Sequence, residues 1–326
     1  MDILVTGGAG YVGSVVTEEL VRQGHRAIVF DNLSKGHKGA VSPGAVLVIG
    51  DIREGKDLEK TFSKFKIDAV MHMAADTVVE YSMIDPKRCF QNNVIGSMNL
   101  LNAMVKHGVL KIIFSSSAAV YGDPNSIPIE EEHPKNPINP YGDSKLMFEH
   151  ILGWYGRAYG LKHISLRYFN AAGASERLGA DQHPTTLLIP NVLEAALNKD
   201  NPVSIFGDDY PTKDGTCIRD YVHIVDIARA HILALNRLEE LSGRAYNLGS
   251  SGGYSVLDVV GVARRVTKVD IPVEICPRRA GDPVAIIASS SRAKAELGWK
   301  PEFTGIEAII DSAWRWMKRH PNGYED

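Results

Sequence analysis

Gly7-Gly8-Ala9-Gly10-Tyr11-Val12-Gly13 decides the reading of this chain. It follows the apolar run Ile3-Leu4-Val5-Thr6 and opens the amphipathic run Val12–Gln23, which Gly24 stops, so a strand, a tight turn and a helix are predicted in that order. Glycines at 7, 10 and 13 let the backbone turn sharply and approach a pyrophosphate, while the free N–H groups and dipole of the helix start favour negative charge. A glycine triplet alone is weak evidence. Asp31, 18 residues beyond Gly13, ends a second apolar run, Ala27–Phe30, where its carboxylate can accept the hydroxyls of an adenosine ribose. A 2′-phosphate would meet that charge unfavourably, so the pattern selects NAD over NADP, although Lys35, His37 and Lys38 follow and leave NADP use open.

Outward from this unit, the runs Ala45–Ile49, Ala69–His72, Lys111–Ser115 and Ile164–Tyr168 alternate with amphipathic stretches. That alternation predicts an α/β fold, a Rossmann-type doubly wound parallel sheet with covering helices. Past Asn170 it weakens, and the turn-rich Gly207–Gly215 separates pieces of a smaller α/β lobe. The expected division is an NAD-binding domain over 1–170 and a substrate domain over 171–326, with some segments of the second returning to the first. Ile127–Pro140, with four prolines and Glu130-Glu131-Glu132, reads as an ordered loop.

Composition narrows the function. The 326 residues are 44% hydrophobic and carry a net charge of −3, so a globular core is expected and a general nucleic-acid or membrane-surface binder, which needs a basic excess, is not. No stretch of about 18 apolar residues could span a bilayer, and the apolar run at Ile3 leaves no room for a secretory leader. Cys89, Cys217 and Cys276 are odd in number and widely spaced, which suits a reducing cytoplasm rather than a disulfide framework. The eleven histidines show neither HxxxH nor HExxH spacing, so no metal site is expected. Neither a GxSxG elbow nor a GxxxxGK[ST] phosphate loop is present.

The catalytic signal is Tyr141-Gly142-Asp143-Ser144-Lys145. On a helix, residues four apart share a face, and a lysine cation beside a phenol favours phenolate, the form that a tyrosine base needs. With 12 Tyr and about one residue in twenty being Lys, roughly 0.6 such pairs arise by chance, so the pair alone decides little. Its context decides more. Pro140 is a good helix-start residue, and the strand Lys111–Ser115 runs into Ser116-Ser117 upstream, at the end of a parallel sheet where ligand groups are presented. Ser117 can bond the same substrate oxygen that Tyr141 deprotonates. Trp154 and Tyr155, with Leu146, Met147, Ile151 and Leu152, read as core or as a helix–helix interface, and two such helices across a two-fold axis would make a homodimer.

These motifs, with Gly50-Asp51-Ile52-Arg53, Phe114–Gly122, Arg167-Tyr168-Phe169-Asn170, the long block Asp208–Asp226 and the ending Arg319-His320-Pro321 and Gly323, resemble the extended short-chain dehydrogenase/reductases, and among them the UDP-hexose 4-epimerases. The resemblance covers nearly the whole chain. It implies that Gly7, Gly10, Tyr11, Val12, Gly13, Asp31, Asn32, Asp51, Ile52, Met73, Ala74, Asn92, Lys145 and Phe169 line an NAD site. It implies that Ser117 and Tyr141 act on the sugar 4-hydroxyl, and that Asn170, Leu188, Ser204, Ile205, Phe206, Arg219, Arg279 and Asp282 hold a UDP-sugar, with Ile286 at the sugar pocket. Arg219 and Arg279 suit a diphosphate and Asp282 suits ribose hydroxyls. The chain departs from the pattern at Ala75-Asp76-Thr77, where a lysine is common, at Leu187, where a polar residue is usual, and at Ile286, where a Tyr or a small residue is usual. The stiff Ile286 should disfavour N-acetylated sugars relative to UDP-glucose and UDP-galactose. Three alternatives remain: an epimerase of another UDP-sugar, UDP-N-acetylglucosamine or a UDP-pentose; a nucleotide-sugar 4,6-dehydratase, which needs an acid/base pair where Ala118-Ala119 stand; and a non-catalytic NAD-binding sensor, against which intact Ser117, Tyr141 and Lys145 argue.

Overall fold

The computed structural model describes residues 1–182, 185–198, 201–279 and 282–325. In chain order, β1 (Asp2–Thr6), α1 (Tyr11–Arg22), β2 (Arg26–Asp31) and β3 (Val46–Ile49) are followed by α2 (Gly55–Lys64) and β4 (Ala69–His72). Next come α3 (Val79–Ile84), α4 (Pro86–Phe90), α5 (Ser97–Lys106), β5 (Lys111–Ser117), α6 (Pro140–Tyr159) and β6 (Lys162–Tyr168). The remainder holds β7 (Asn170–Ala172), α7 (Leu188–Leu197), β8 (Val203–Phe206), β9 (Ile218–His223), α8 (Ile224–Asn236), α9 (Leu238–Leu241) and β10 (Arg244–Leu248). It closes with β11 (Gly253–Ser255), α10 (Val256–Thr267), β12 (Val273–Cys276), β13 (Ala285–Ile286) and α11 (Ile306–Arg319).

Seven parallel strands form the main sheet in the order β10-β6-β5-β4-β1-β2-β3, the doubly wound sheet expected from the alternation. The strands read as near-continuous apolar runs because both faces are covered: Ile3, Val5, Met71, Ile113, Ile164 and Leu166 pack toward α1 and α8, and Leu4, Ile28, Val70, Ile112 and Phe114 toward Leu58, Leu101 and Phe148. Burial of such side chains contributes about 1.5–3 kcal/mol each. Three features lie outside the expected elements. β5 runs on to Ser117, two residues beyond the apolar run, so the serines are strand residues at its C-terminal end. The seventh strand, β10, comes from 244–248, far past Asn170, and α8 packs against α1. A small sheet orders β11-β9-β13, with β7 beside β9, and β8 pairs with β12. The proline-rich segment is ordered, as expected: Ile129 is fully buried, and its N–H and C=O bond Ile287 and Ser289.

Candidate functional site

The glycine loop leaves β1 through Gly7, whose φ of +71° and contact with the Met73–Ala74 backbone admit no side chain: an added Cβ would lie 2.6 Å from the Ala74 nitrogen. At Gly13 it would lie 2.0 Å from the Gly7 carbonyl oxygen. Gly10 begins α1 with no side-chain cap and no acid in the first turn, so the N–H groups at Tyr11, Val12 and Gly13 meet no competing carboxylate. Asp31, at the end of β2, is nearly buried and accepts from Ala9 N at 3.0 Å and Leu33 N at 2.9 Å. Burial raises its pKa, and those two bonds oppose the rise. Next to it, Asn32 donates to Asp51 at 2.9 Å, and Arg53 holds the Asp51 carboxyl at about 2. Ile52 is packed under Gly96, and Met73 N bonds Thr6 O. Asn92 lies in the π-helical turn Gln91–Gly96 and donates to Asn93. A cradle with room for no Cβ, uncapped N–H groups and a fixed carboxylate fit a dinucleotide. The Tyr11 hydroxyl is taken by the Gly173 carbonyl at 2.5 Å, which leaves its backbone for a ligand.

Beside this cradle, α6 is launched by Asn139, whose side chain accepts from Gly142 N at 2.8 Å, with Pro140 as its first residue. Tyr141 and Lys145 thus share a face at the C-terminal end of β5. Ser117 lies beside Tyr141 and favours its ionised form, and the Ser117 hydroxyl accepts from Ala119 N at 3.1 Å. Lys145 Nζ donates to the Ser115 carbonyl at 2.8 Å and lies 5.8 Å from the Tyr141 ring centroid. Burial raises the Tyr141 pKa, which the nearby Ser117 hydroxyl only partly offsets, and burial pulls Lys145 down to about 8. The lysine therefore does not by itself make a phenolate, because desolvation penalises the cation and the anion alike.

On the other side of the mouth, β13 pairs Ile286 with Arg219 of β9. Arg219 bonds Asp282 at 2.5 Å and the Pro283 carbonyl at 2.9 Å, so two expected ligand groups face one another. The Arg279 guanidinium sits 3.9 Å from the Phe206 ring centroid. Asn170 donates to the Asp220 carbonyl at 2.7 Å and Ser204 to Glu274 at 2.8 Å. Ile205 is fully buried in β8, paired with Ile275 of β12, so the structure does not expose it to a ligand. Leu188 opens α7 behind an uncapped Leu187. Ile286 packs on the apolar cluster of Ala118, Leu146 and Phe169, next to Ser117 and Lys145.

Several side chains around the site escaped sequence reasoning. Tyr168 lies near the Ser115 side chain, and its pKa is raised by burial and further by Tyr141. Glu149 pairs with Arg167 at 2.5 Å and accepts from Ser116 at 2.5 Å, under the catalytic strand. Its place four residues after Lys145 was the available signal. Asn93 donates to Ser144 at 3.0 Å and to the Asp76 carbonyl at 2.9 Å, tying the loop after β4 to α6. Asp220, inside the long block that carries Arg219, is a brace: it accepts from Ser250 N, Ser251 N and Ala288 N at 2.8–3.1 Å.

A dinucleotide cradle joined to a Ser/Tyr/Lys group on a parallel sheet defines an NAD-dependent enzyme of the short-chain dehydrogenase type. The chain belongs to the NAD dependent epimerase/dehydratase family, whose model matches residues 3–249. It is 49% identical to the UDP-glucose 4-epimerase of Lacticaseibacillus casei over 100% of this chain and 99% of that one. Two solved structures share its fold throughout. One is UDP-glucose 4-epimerase from Bifidobacterium longum in complex with NAD+ and UDP, with a TM-score of 0.94, 38% identity, and coverage of 99% of this chain and 100% of that one. The other is UDP-glucose 4-epimerase from Brucella ovis in complex with NAD, with a TM-score of 0.92, 44% identity, and coverage of 96% and 97%. NAD is this enzyme's cofactor.

Proposed function

We propose that the enzyme interconverts UDP-glucose and UDP-galactose by oxidising the hexose at C4 and reducing the 4-keto sugar from its other face. When bound, NAD supplies the hydride acceptor and donor, and the net reaction is redox-neutral. Tyr141 takes the 4-hydroxyl proton and returns it, and Ser117 holds the same oxygen and favours the ionised phenol. Lys145, fixed on the Ser115 carbonyl, orients the nicotinamide ribose. Asp31 takes the adenosine ribose, Arg219 and Arg279 the diphosphate, and Asp282 the uridine ribose.

The observation that carries this reading is the placing of Ser117, at the end of β5, beside Tyr141, with Lys145 one helical turn along. Ala118 and Ala119, which follow Ser117, can neither donate nor accept protons through their side chains, which counts against a dehydratase. Incubation with UDP-glucose, UDP-galactose and their N-acetylated counterparts, with products resolved by chromatography, tests the substrate. The unacetylated pair should be favoured in kcat/KM; equal or better efficiency with the N-acetylated pair would move the reading to a broad-specificity epimerase.

The enzyme acts as a homodimer in the reducing cytoplasm. Cys89, Cys217 and Cys276 are all free thiols. Among the described residues, no helix is long and apolar enough to cross a membrane. Ile84 on α3 is 74% exposed and Trp154 on α6 is 64% exposed; with Tyr81, Met83 and Met147 on these two packed helices they form an apolar surface suited to a second copy. Sedimentation of Met147→Glu/Trp154→Glu should give a monomer where the parent gives a dimer; a monomeric parent would overturn this assignment.

A further inference from the structure

The ending Arg319–Tyr324 has no part in the chemistry above, yet it is built into the wall behind the cofactor cradle. Tyr324 N donates to the Asp181 carboxylate at 2.7 Å, and its half-buried hydroxyl bonds both the N–H and the C=O of Gly179 at 2.9 and 3.0 Å. Gly323, at φ +75°, lies so close to Asp181 that an added Cβ would sit 2.2 Å from its carboxylate. Trp316, His320 and Tyr324 pack as one aromatic group, and the Tyr324 ring meets the His37 ring at 5.3 Å.

His37 belongs to the loop that leaves Asp31. Its N–H bonds the Ala9 carbonyl at 3.0 Å, its ring nitrogen meets the Asp181 carbonyl at 2.9 Å, and a Cβ on neighbouring Gly36 would lie 2.9 Å from Ala9. Two residues on, a Cβ on Gly39 would lie 2.6 Å from the carbonyl oxygen of Glu325. The loop behind Asp31 is thus pressed against the glycine turn on one side and the chain end on the other.

We propose that Gly323–Glu325 is a clasp that holds the Asp31–Ala40 loop against the glycine turn, making Tyr324 and His37 positioning residues for NAD. This rests on the reading of the cradle as the NAD site. The clasp touches neither Tyr141 nor Arg219, so loosening it releases cofactor without altering sugar binding.

The test measures NAD affinity by calorimetric titration of NAD-stripped full-length protein, for the parent, Tyr324→Ala, Tyr324→Phe, Gly39→Ala and Asp31→Ala. Tyr324→Ala and Gly39→Ala should weaken NAD about 10-fold or more, with KM for the UDP-sugar at saturating NAD held within about twofold. Tyr324→Phe, which keeps the ring and loses the Gly179 bonds, should fall between. In the parent, NAD should slow amide hydrogen exchange at Tyr324, whose N–H is held by Asp181. Parent-like NAD affinity in both Gly39→Ala and Tyr324→Ala, with Asp31→Ala weakened, would overturn the clasp alone. Unchanged affinity in Asp31→Ala as well would overturn the cofactor-site reading beneath it. If Tyr324→Ala does not fold, Gly39→Ala and the exchange protection at Tyr324 decide.

Discussion

The two walls proposed for the active site are made differently. The cofactor wall is backbone: glycines that leave no room for a Cβ, an uncapped helix start, and a carboxylate already held by two N–H groups. The proposed sugar-nucleotide wall is side chains, and its two arginines already have partners: Arg219 has Asp282, and Arg279 has the face of Phe206. A backbone cradle needs no rearrangement to receive a phosphate, so it favours retention. A self-paired wall must exchange one partner for another when ligand arrives, which lowers net affinity and suits a substrate that has to leave.

Variants that strike one wall and spare the other probe this contrast. The largest effect lies between the walls: Tyr141→Phe should lower turnover by about 10²-fold or more while NAD content and melting temperature stay near parental. Near-normal turnover would remove Tyr141 as the acid/base. On the sugar-nucleotide wall, Arg219→Met should raise KM for UDP-sugars by about 10- to 100-fold with NAD affinity unchanged. A parallel loss of NAD would mean the walls are not separable.

A third prediction compares what lies beneath each wall. His72, between Thr6 and Ser97, and His223, beside Ser312, are both buried and held at about 3 by desolvation. The unfolded chain takes up their protons below about 6.5, which the folded chain refuses, so each should lower stability by about 2 kcal/mol between pH 7 and 5. The buried carboxyls Glu131, Asp220 and Asp226 are shifted upward and work in the opposite sense, so the comparison is made between variants. Chemical unfolding of His72→Gln and His223→Gln should show equal flattening of the pH dependence if both regions unfold as one unit.

On the cofactor wall, Asp31→Ala should weaken NAD about 10-fold and narrow its advantage over NADP, read by titration of both. Cofactor released from the denatured parent and found to be NADP would contradict the assignment. The smallest expected effect is at Ile286, packed against Phe169: Ile286→Ser should improve kcat/KM for the N-acetylated pair about 5-fold relative to the parent.

The contrast also explains what could be read from the chain alone. The glycine turn, Asp31 and the Tyr141/Lys145 pair are local patterns, set by backbone freedom or by helical spacing, and were legible before any coordinates. Arg219 and Asp282 bond across 63 positions, so their mutual pairing left no local trace. The same holds for Tyr324 against Gly179 and for Asp220 against Ser250 and Ala288. Spacing placed Lys145 beside Tyr141 correctly, yet the sign of the tyrosine shift depended on burial, which spacing does not encode.

The last strand of the main sheet has a consequence for how the protein is made. Arg244–Leu248 lies beside Lys162–Tyr168, pairing Arg244 with Ile164, so one edge of the sheet is completed late. At about 5–20 residues per second, a ribosome needs roughly 4–16 seconds to deliver those intervening eighty residues. For that interval the nascent chain displays an unpaired parallel edge with Ile164 and Leu166, side chains that end fully buried, and such an edge is a template for wrong partners. Chaperone demand during translation should therefore peak after Tyr168 has emerged and fall once Leu248 clears the exit tunnel.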